Sequence, residues 1–154
     1  MDVRIDAYDG PHRKLASFRE AEDSEQSLDS YIDLGRVWVA RDTTGAVVAH
    51  LQAVPRDPAT WEVTSTAVAE RHRGHGVGLA LLEYAVDEAR RAGMTRVSVS
   101  TVTPNIGNLR FYQRCGFRMT HVVPDAFTAV QGYPDGIQID GIPLRDQDWF
   151  ERLL

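Results

Sequence analysis

Residues 63–84 read Val-Thr-Ser-Thr-Ala-Val-Ala-Glu-Arg-His-Arg-Gly-His-Gly-Val-Gly-Leu-Ala-Leu-Leu-Glu-Tyr, and they constrain the fold more tightly than any other stretch of the chain. A β-branched strand ends at Val68. A short basic loop follows, with Gly74, Gly76 and Gly78 on alternate positions. A helix with an apolar stripe starts at once. Glycine lets a backbone turn tightly and come close to a ligand with no Cβ in the way. The free N–H groups at a helix start, together with the helix dipole, attract an anion. The natural occupant is a cofactor that carries a pyrophosphate.

Three kinds of phosphate loop have this outline. A Walker A loop needs Gly-Lys-Ser or Gly-Lys-Thr at the helix start, and the chain has neither. A Rossmann loop needs G-x-G-x-x-G and an acidic residue about 20 positions on. Here the glycines are spaced G-x-G-x-G, and the strand at that distance, Arg96 to Val102, carries no acid. The third is R-x-x-G-x-G, present as Arg73-x-x-Gly76-x-Gly78 and, two residues earlier, as Arg71-x-x-Gly74-x-Gly76. This loop resembles the acetyl-CoA loop of the GNAT superfamily of N-acetyltransferases.

A later segment strengthens the resemblance. Asn105-Ile-Gly-Asn-Leu-Arg-Phe-Tyr112-Gln-Arg-Cys-Gly116-Phe117 is similar to that family's late motif, N-x-x-x-x-x-(L/F)-Y-x-x-x-G-F. Asn105, Tyr112, Gly116 and Phe117 fall where the motif puts them. One helix and one strand separate the two motifs, as in the family, and together they cover the central third of the chain.

Composition sets the outer bounds. A chain of 154 residues is enough for one domain with a real core, so residues 1–154 are expected to form a single N-acetyltransferase domain. Hydrophobic residues make up 43% and charged residues 25%, as in ordinary globular proteins. A net charge of −5 speaks against a nucleic-acid partner and for a cationic one. The lone cysteine, Cys115, excludes an intrachain disulfide and suits a reducing cytoplasm. No signal-like apolar region or membrane-length apolar run is present, so no membrane partner is expected. Arginine carries nearly all the basic charge, with Lys14 the only lysine, a bias expected of a bacterium with a GC-rich genome. No His-Glu-x-x-His, cysteine pair or spaced carboxylate set suggests a metal.

The local pattern predicts strands at Val3 to Ala7, Arg36 to Arg41, Ala46 to Val54, Trp61 to Val68, Arg96 to Val102 and Phe117 to Val123. A first helix opens near Pro11. A second is capped by Ser24, runs to Leu34 and stops at Gly35. Arg56 to Thr60 reads as a loop. In the helix from Gly76, the core stripe is Val77, Leu81, Tyr84, Ala85, Ala89 and Ala92, with Asp87 and Arg91 a turn apart on the wet side. Thr103-Pro104 opens another helix and Gly116 closes it. Beyond Pro124 the period fades. Ile137 to Leu144 reads either as a strand pair around Asp140-Gly141 or as a bend, and Asp146 to Leu154 as a last strand. The resemblance implies an α/β (α+β) fold: a mixed, mostly antiparallel sheet of six to seven strands flanked by about four helices.

It also implies a chemistry. Acetyl transfer to an amine needs a held thioester, a deprotonated amine, a stabilised oxyanion and a proton for the departing thiolate. In the resembled family the strand before the loop splays from its neighbour, and the pantetheine arm bonds along it like an added strand. Thr66, Ala67 and Val68 then lie beside the thioester, with a backbone N–H for the oxyanion. Arg73, Gly74, His75, Gly76, Val77 and Gly78 face the phosphates, and Asn105 completes the cofactor site. Tyr112 is the proton donor, since a phenol stays protonated at neutral pH. Glu62 takes a proton from the amine through water, with His50 or water alone as the other choices. His72 and His75 face phosphate or solvent. The co-substrate is acetyl-CoA and the mechanism is direct transfer in a ternary complex. Trp61, Tyr31, Phe127 and Tyr133, with several acids, line a pocket for a small-molecule amine that is cationic. Protein or peptide amines are the alternative acceptor, and an acyl-CoA-binding sensor without turnover is the alternative class. A homodimer is compatible with this reading.

Overall fold

The computed structural model describes residues 2–154. Among them seven strands form one sheet in the order β1-β2-β3-β4-β5-β9-β6, and a two-stranded ribbon, β7-β8, stands apart. In chain order the elements are β1 (Arg4–Ala7), α1 (Ser17–Ala21), α2 (Glu25–Tyr31), β2 (Arg36–Arg41), β3 (Val47–Asp57), β4 (Thr60–Val68), α3 (Val77–Arg91), β5 (Arg96–Val102), α4 (Ile106–Arg114), β6 (Arg118–Val123), β7 (Gln138–Ile139), β8 (Ile142–Pro143) and β9 (Gln147–Leu153). Every neighbouring pair in the large sheet is antiparallel except β4 and β5, the pair that α3 connects.

Period-two alternation sorts the sheet's side chains into two layers. Trp38 and Ala40 of β2, Leu51 and Ala53 of β3 and Val97 and Val99 of β5 pack with Leu81, Leu82, Ala85, Val86 and Ala89 of α3. Val37 and Val39 point the other way and pack with Phe18 of α1 and with Leu28 and Ile32 in and after α2. Leu81 is fully enclosed, and cutting it back to alanine would cost about 2–5 kcal/mol. The buried stripe of α3 is wider than the sequence suggests: Leu82 and Val86 belong to it, whereas Ala92 is exposed. On its wet side the pairs are Arg90 with Asp87 and Arg91 with Glu88, not Asp87 with Arg91.

A buried polar side chain, Gln52, lies under the α1–α2 layer. Gln52 Nε2 donates to the carbonyls of Tyr31 at 2.8 Å, Ile32 at 3.2 Å and Leu34 at 2.8 Å. It satisfies the loose carbonyls at the end of α2. The start of α2 is capped by Ser24, whose Oγ accepts from Ser27 N–H at 3.2 Å.

Several expectations need revision. The region near Pro11 is a 3-10 turn at His12–Lys14, with α1 starting later at Ser17. Arg56 to Thr60 is not a loop. Strand β3 continues to Asp57, and a tight hairpin at Pro58-Ala59 leads into β4, stapled by Asp57 accepting from Ala59 N–H at 2.7 Å. Asp140-Gly141 does turn a strand pair, with both residues at positive φ. The last strand forms as expected, and β9 lies between β5 and β6.

Candidate active site

Strands β4 and β5 are paired only from Thr60 with Arg96 to Val63 with Val99. Past that point β4 stays on β3, through Ala49 with Val68, and β5 stays on β9, through Val102 with Gln147. The gap between them is lined with backbone groups that no strand uses. The cause lies in β4 itself. Gln52 faces Ser65 and Ala53 faces Val63, so Thr64 is an extra residue, a bulge. A bulge bends its strand and strengthens the local twist. It also changes which way the side chains point. Trp61 and Val63 sit in the α3 layer, whereas Ser65, beyond the bulge, turns to the opposite side and meets His50 Nε2 at 2.8 Å.

The gap opens into a cavity of about 710 Å³. Thr64, Thr66, Ser100, Thr101, Asn105, Asn108 and Tyr112 line it toward the Gly-rich loop. Glu22, Ser27, Tyr31, Arg56, Glu62, Phe127 and Tyr133 line the rest. Its size suits a small ligand.

At the loop, Gly74 and Gly76 have φ of +77° and +81°. Gly76 is the residue before the first turn of α3, and no side chain caps that turn. The helical ladder begins with Ala80 N–H to Gly76 O at 3.0 Å, so the N–H groups of Val77, Gly78 and Leu79 are left outside it. Gly78 lies within the first turn, where a Cβ would sit 3.6 Å from Val68 Cγ2. Arg73 Nε donates to Val68 O at 2.9 Å, which ties the loop to the end of β4. His75 is exposed. His72, expected to face phosphate or solvent, is instead turned inward by the 3-10 turn at Glu70–His72, and its buried Nδ1 has no hydrogen-bond partner among the described residues.

Tyr112 enters the cavity from α4. Its ring is 4% exposed, held edge-on by Phe111 and Phe117 and tilted against Phe150. Burial, with a smaller contribution from Cys115, pushes its phenol up to about 12. Among the described residues its hydroxyl has no hydrogen-bond partner, so the donor is unspent. Asn105 uses its side chain to cap α4, accepting from Asn108 N–H at 3.0 Å. Asn108 in turn donates from Nδ2 to Thr101 Oγ1 at 3.0 Å, which locks the start of α4 to β5. Thr66 donates its hydroxyl to His50 O at 3.0 Å, so its side chain is occupied with holding the sheet together.

Glu62 lies on the cavity wall in an ion pair with Arg56, Oε1 to Nε at 2.7 Å. Arg56 was missed by sequence reasoning, because it falls in the stretch read as loop. It is the skipped residue of a second bulge, between Pro55 and Asp57, directly across from β4. Glu22 was missed too. Its carboxylate accepts from Tyr133 Oη at 2.8 Å, from Asp23 N–H at 3.0 Å and from Ser24 N–H at 3.4 Å, and it meets Tyr31 Oη at 3.4 Å. Only the three-dimensional fold brings Glu22 to Tyr133. Of the four aromatics expected in the pocket, Tyr31, Phe127 and Tyr133 are there. Trp61 is not. It alternates to the other side of β4, against Trp38 at 6.0 Å between ring centroids, with the Arg36 guanidinium over it at 5.3 Å. His50 is not in the cavity either. It is fully buried, its two ring nitrogens are engaged by Ser17 and Ser65, and Phe18 stacks on it at 4.2 Å. Desolvation, and then the neighbouring His12, lower its pKa to about 4. Its link to the cavity runs through Ser65, which lines the wall.

No group of three or more His, Cys, Asp or Glu among the described residues is placed to hold a metal ion, and no helix is long and apolar enough to cross a membrane.

The sequence from residue 6 to residue 117 matches the family described as "Acetyltransferase (GNAT) family". An uncharacterised N-acetyltransferase of Bacillus subtilis, YvbK, is 29% identical over 129 residues, which cover 82% of this chain and 79% of that protein. The fold is similar to that of an IAA acetyltransferase from Bacillus cereus, with a TM-score of 0.88 at 30% identity over 99% of this chain and 100% of that one. It is equally similar to a GNAT family acetyltransferase from Elizabethkingia anophelis solved with acetyl-CoA bound, with a TM-score of 0.88 at 25% identity over 99% and 98% of the two chains.

Proposed function

This chain belongs to the GNAT family of acetyltransferases, and we propose that it moves an acetyl group from acetyl-CoA to a primary amine of a small cationic molecule, by direct attack in a ternary complex. The observation that carries this reading is the parting of β4 from β5 after Val63 and Val99, with a glycine-shaped helix start at one end of the gap and the Tyr112 hydroxyl in its wall.

In this reading the pyrophosphate rests on the first turn of α3 and on the loop from Arg73 to Gly78. Positive φ at Gly74 and Gly76 turns the backbone toward it. The pantetheine arm bonds to the free backbone edge of β4 along Thr66, Ala67 and Val68. The bland side chains there are no obstacle, because the backbone does the binding. Asn105 acts through α4, whose capped start sets the direction of Tyr112.

The acceptor approaches from the side of Glu22 and Glu62. Most primary amines are protonated at neutral pH, so one proton must leave before attack. Glu62 accepts it, through a water, with Arg56 holding its carboxylate in position. Nitrogen attacks the carbonyl carbon, and negative charge grows on the carbonyl oxygen, where a β4 backbone N–H stabilises it. As the C–S bond breaks, Tyr112 donates its proton to sulfur, and the second proton that the nitrogen sheds on becoming an amide passes through water to the Tyr112 phenolate. The burial that weakens the phenol as an acid also raises the proton affinity of a desolvated thiolate, so the two remain matched. Three acidic residues, Glu22, Asp23 and Glu62, against the one arginine, Arg56, leave the acceptor end of the cavity negative, which favours a cation. Residues 1–154 act as one N-acetyltransferase domain in a reducing cytoplasm.

The test is a thiol-release assay with acetyl-CoA and a panel of amines that includes small cationic compounds and peptide N-termini. Turnover on the small cations is expected. Binding of acetyl-CoA with no release on any amine would make the chain an acyl-CoA sensor, and turnover on peptides alone would replace the acceptor class.

A further inference from the structure

The charges in the cavity are not evenly matched. Glu62 has Arg56 at 2.7 Å. Glu22 has no cationic partner among the described residues. It is held by two phenols and two backbone N–H groups instead. Burial pushes its carboxyl above the usual carboxylate range, more than those hydrogen bonds bring it down. A carboxylate that is partly stripped of water and faces an open cavity gains from a cation.

The surroundings are built to keep that carboxylate in place. Tyr133 is buried and braced edge-on by Phe127 at 5.1 Å. The segment that carries it is anchored on the start of α2, where Ser24 Oγ donates to Gln131 O at 2.8 Å. Gly132 passes so close that a Cβ there would lie 2.6 Å from Ser24 Oγ. Tyr31 faces Glu22 from the other side. A partly desolvated carboxylate held between two phenol hydroxyls is a good receptor for an ammonium group, through charge and charge-assisted hydrogen bonding. The same cavity is lined by Tyr112, a buried residue whose hydroxyl has no hydrogen-bond partner among the described residues.

We propose that Glu22, framed by Tyr31 and Tyr133, is the subsite for a second cationic nitrogen of the acceptor, so that the preferred acceptor is a diamine or higher polycation that reacts at one nitrogen and is held by another. The proposal rests on the acetyl-transfer reading and names its substrate class. An amine loses its charge in order to attack, so an acceptor with a single nitrogen leaves Glu22 without a countercharge at the moment of reaction. A second ammonium stays charged throughout and supplies it.

The experiment compares linear diamines of graded length with monoamines of the same carbon count, in steady-state thiol release with acetyl-CoA. The best diamine is expected to exceed its matched monoamine in kcat/KM by tenfold or more, mainly through KM. Glu22→Gln should bring that ratio to about one, whereas Glu22→Asp, which keeps the charge, should retain a preference. Affinity for acetyl-CoA and the melting temperature show that each variant is folded. Equal use of diamines and monoamines by the parent chain would overturn the subsite, as would a preference that survives Glu22→Gln. Calorimetric titration of the diamines into protein saturated with CoA reads the subsite without turnover. Binding there that depends on Glu22, with no thiol release, would overturn the transfer reading and leave the subsite standing. Release from both amine classes alike would do the reverse.

Discussion

Val63 faces Val99 across the last pair that joins β4 to β5, and the very next residue of β4, Thr64, is the one with no partner on β3. Bulge and parting coincide. Without the bulge, β4 would run straight beside β5, each would satisfy the other's backbone, and no free edge would remain. The proposed acetyl-transfer site therefore begins as an irregularity of one residue in a hydrogen-bond ladder. Its cost is met by the regular pairing of β4 with β3 on one side and of β5 with β9 on the other.

Gly76 separates two explanations of the loop. A Cβ there would meet nothing within 4 Å, so a substitution does not clash with the protein itself. Its φ of +81° is nevertheless in the left-handed region, where an L-residue is strained by roughly 1–2 kcal/mol. Gly76→Val should therefore fold, relax its backbone and weaken acetyl-CoA binding by about tenfold or more, since 1.4 kcal/mol corresponds to a factor of ten. Calorimetry with CoA measures it. Unchanged affinity in a folded variant would remove this loop from the cofactor site.

Tyr112→Phe keeps the ring among Phe111, Phe117 and Phe150 and removes only the hydroxyl. Loss of a general acid costs about 10²–10⁴ in rate. The expected outcome is a large fall in kcat with acetyl-CoA affinity and melting temperature nearly unchanged. Loss of binding and stability together would mean that the residue serves only to pack, and full activity would remove it from the reaction.

Much of this was legible in the chain because it is local. Strands at Arg36 to Arg41 and Arg96 to Val102, the Ser24 cap, the glycine loop and the helix behind it all follow from neighbours in sequence. The bulge at Thr64 was not legible, since nothing in Val-Thr-Ser-Thr says which residue a partner strand will skip. Trp61 and His50 were misplaced for a related reason. Alternation gives two faces, but the sequence does not say which one meets the cavity and which meets the core. Arg56 was hidden because Pro55 and Pro58 suggest a loop, whereas the second bulge accommodates them at the end of a hairpin. Glu22 could not be linked to Tyr133 by any local rule, since the contact depends on how the segment after Pro124 folds back over α2.

For Glu62 the useful measurement is a pH profile. Glu62→Gln keeps the shape, removes the proton acceptor and leaves Arg56 without its partner. If Glu62 relays the amine's proton, kcat/KM should fall by about tenfold or more, with the deepest loss at low pH, where more of the amine is protonated. Parental rate and profile in the variant would reduce Glu62 to a counterion for Arg56.

His50 yields a prediction about stability rather than catalysis. Its imidazole is enclosed by Phe18, Ser17 and Ser65, and its pKa falls from 6.5 in the ordinary case to about 4 in the fold. The folded chain therefore keeps His50 neutral at pH values where the unfolded chain protonates it. Between pH 6.5 and 4 the unfolded state binds more protons at this site, so stability falls as pH falls. The contribution is complete above 6.5 and gone below about 4. A shift of this size corresponds to roughly 3 kcal/mol of unfolding free energy. His50→Gln offers an uncharged side chain that can still hydrogen-bond. It should be less stable than the parent at neutral pH and lose less on acidification, so that the two denaturation midpoints converge toward pH 4. Urea unfolding at a series of pH values, followed by tryptophan fluorescence, measures both curves. Parallel curves would show that the enclosed, uncharged ring between Ser17 and Ser65 contributes nothing to the pH dependence of stability.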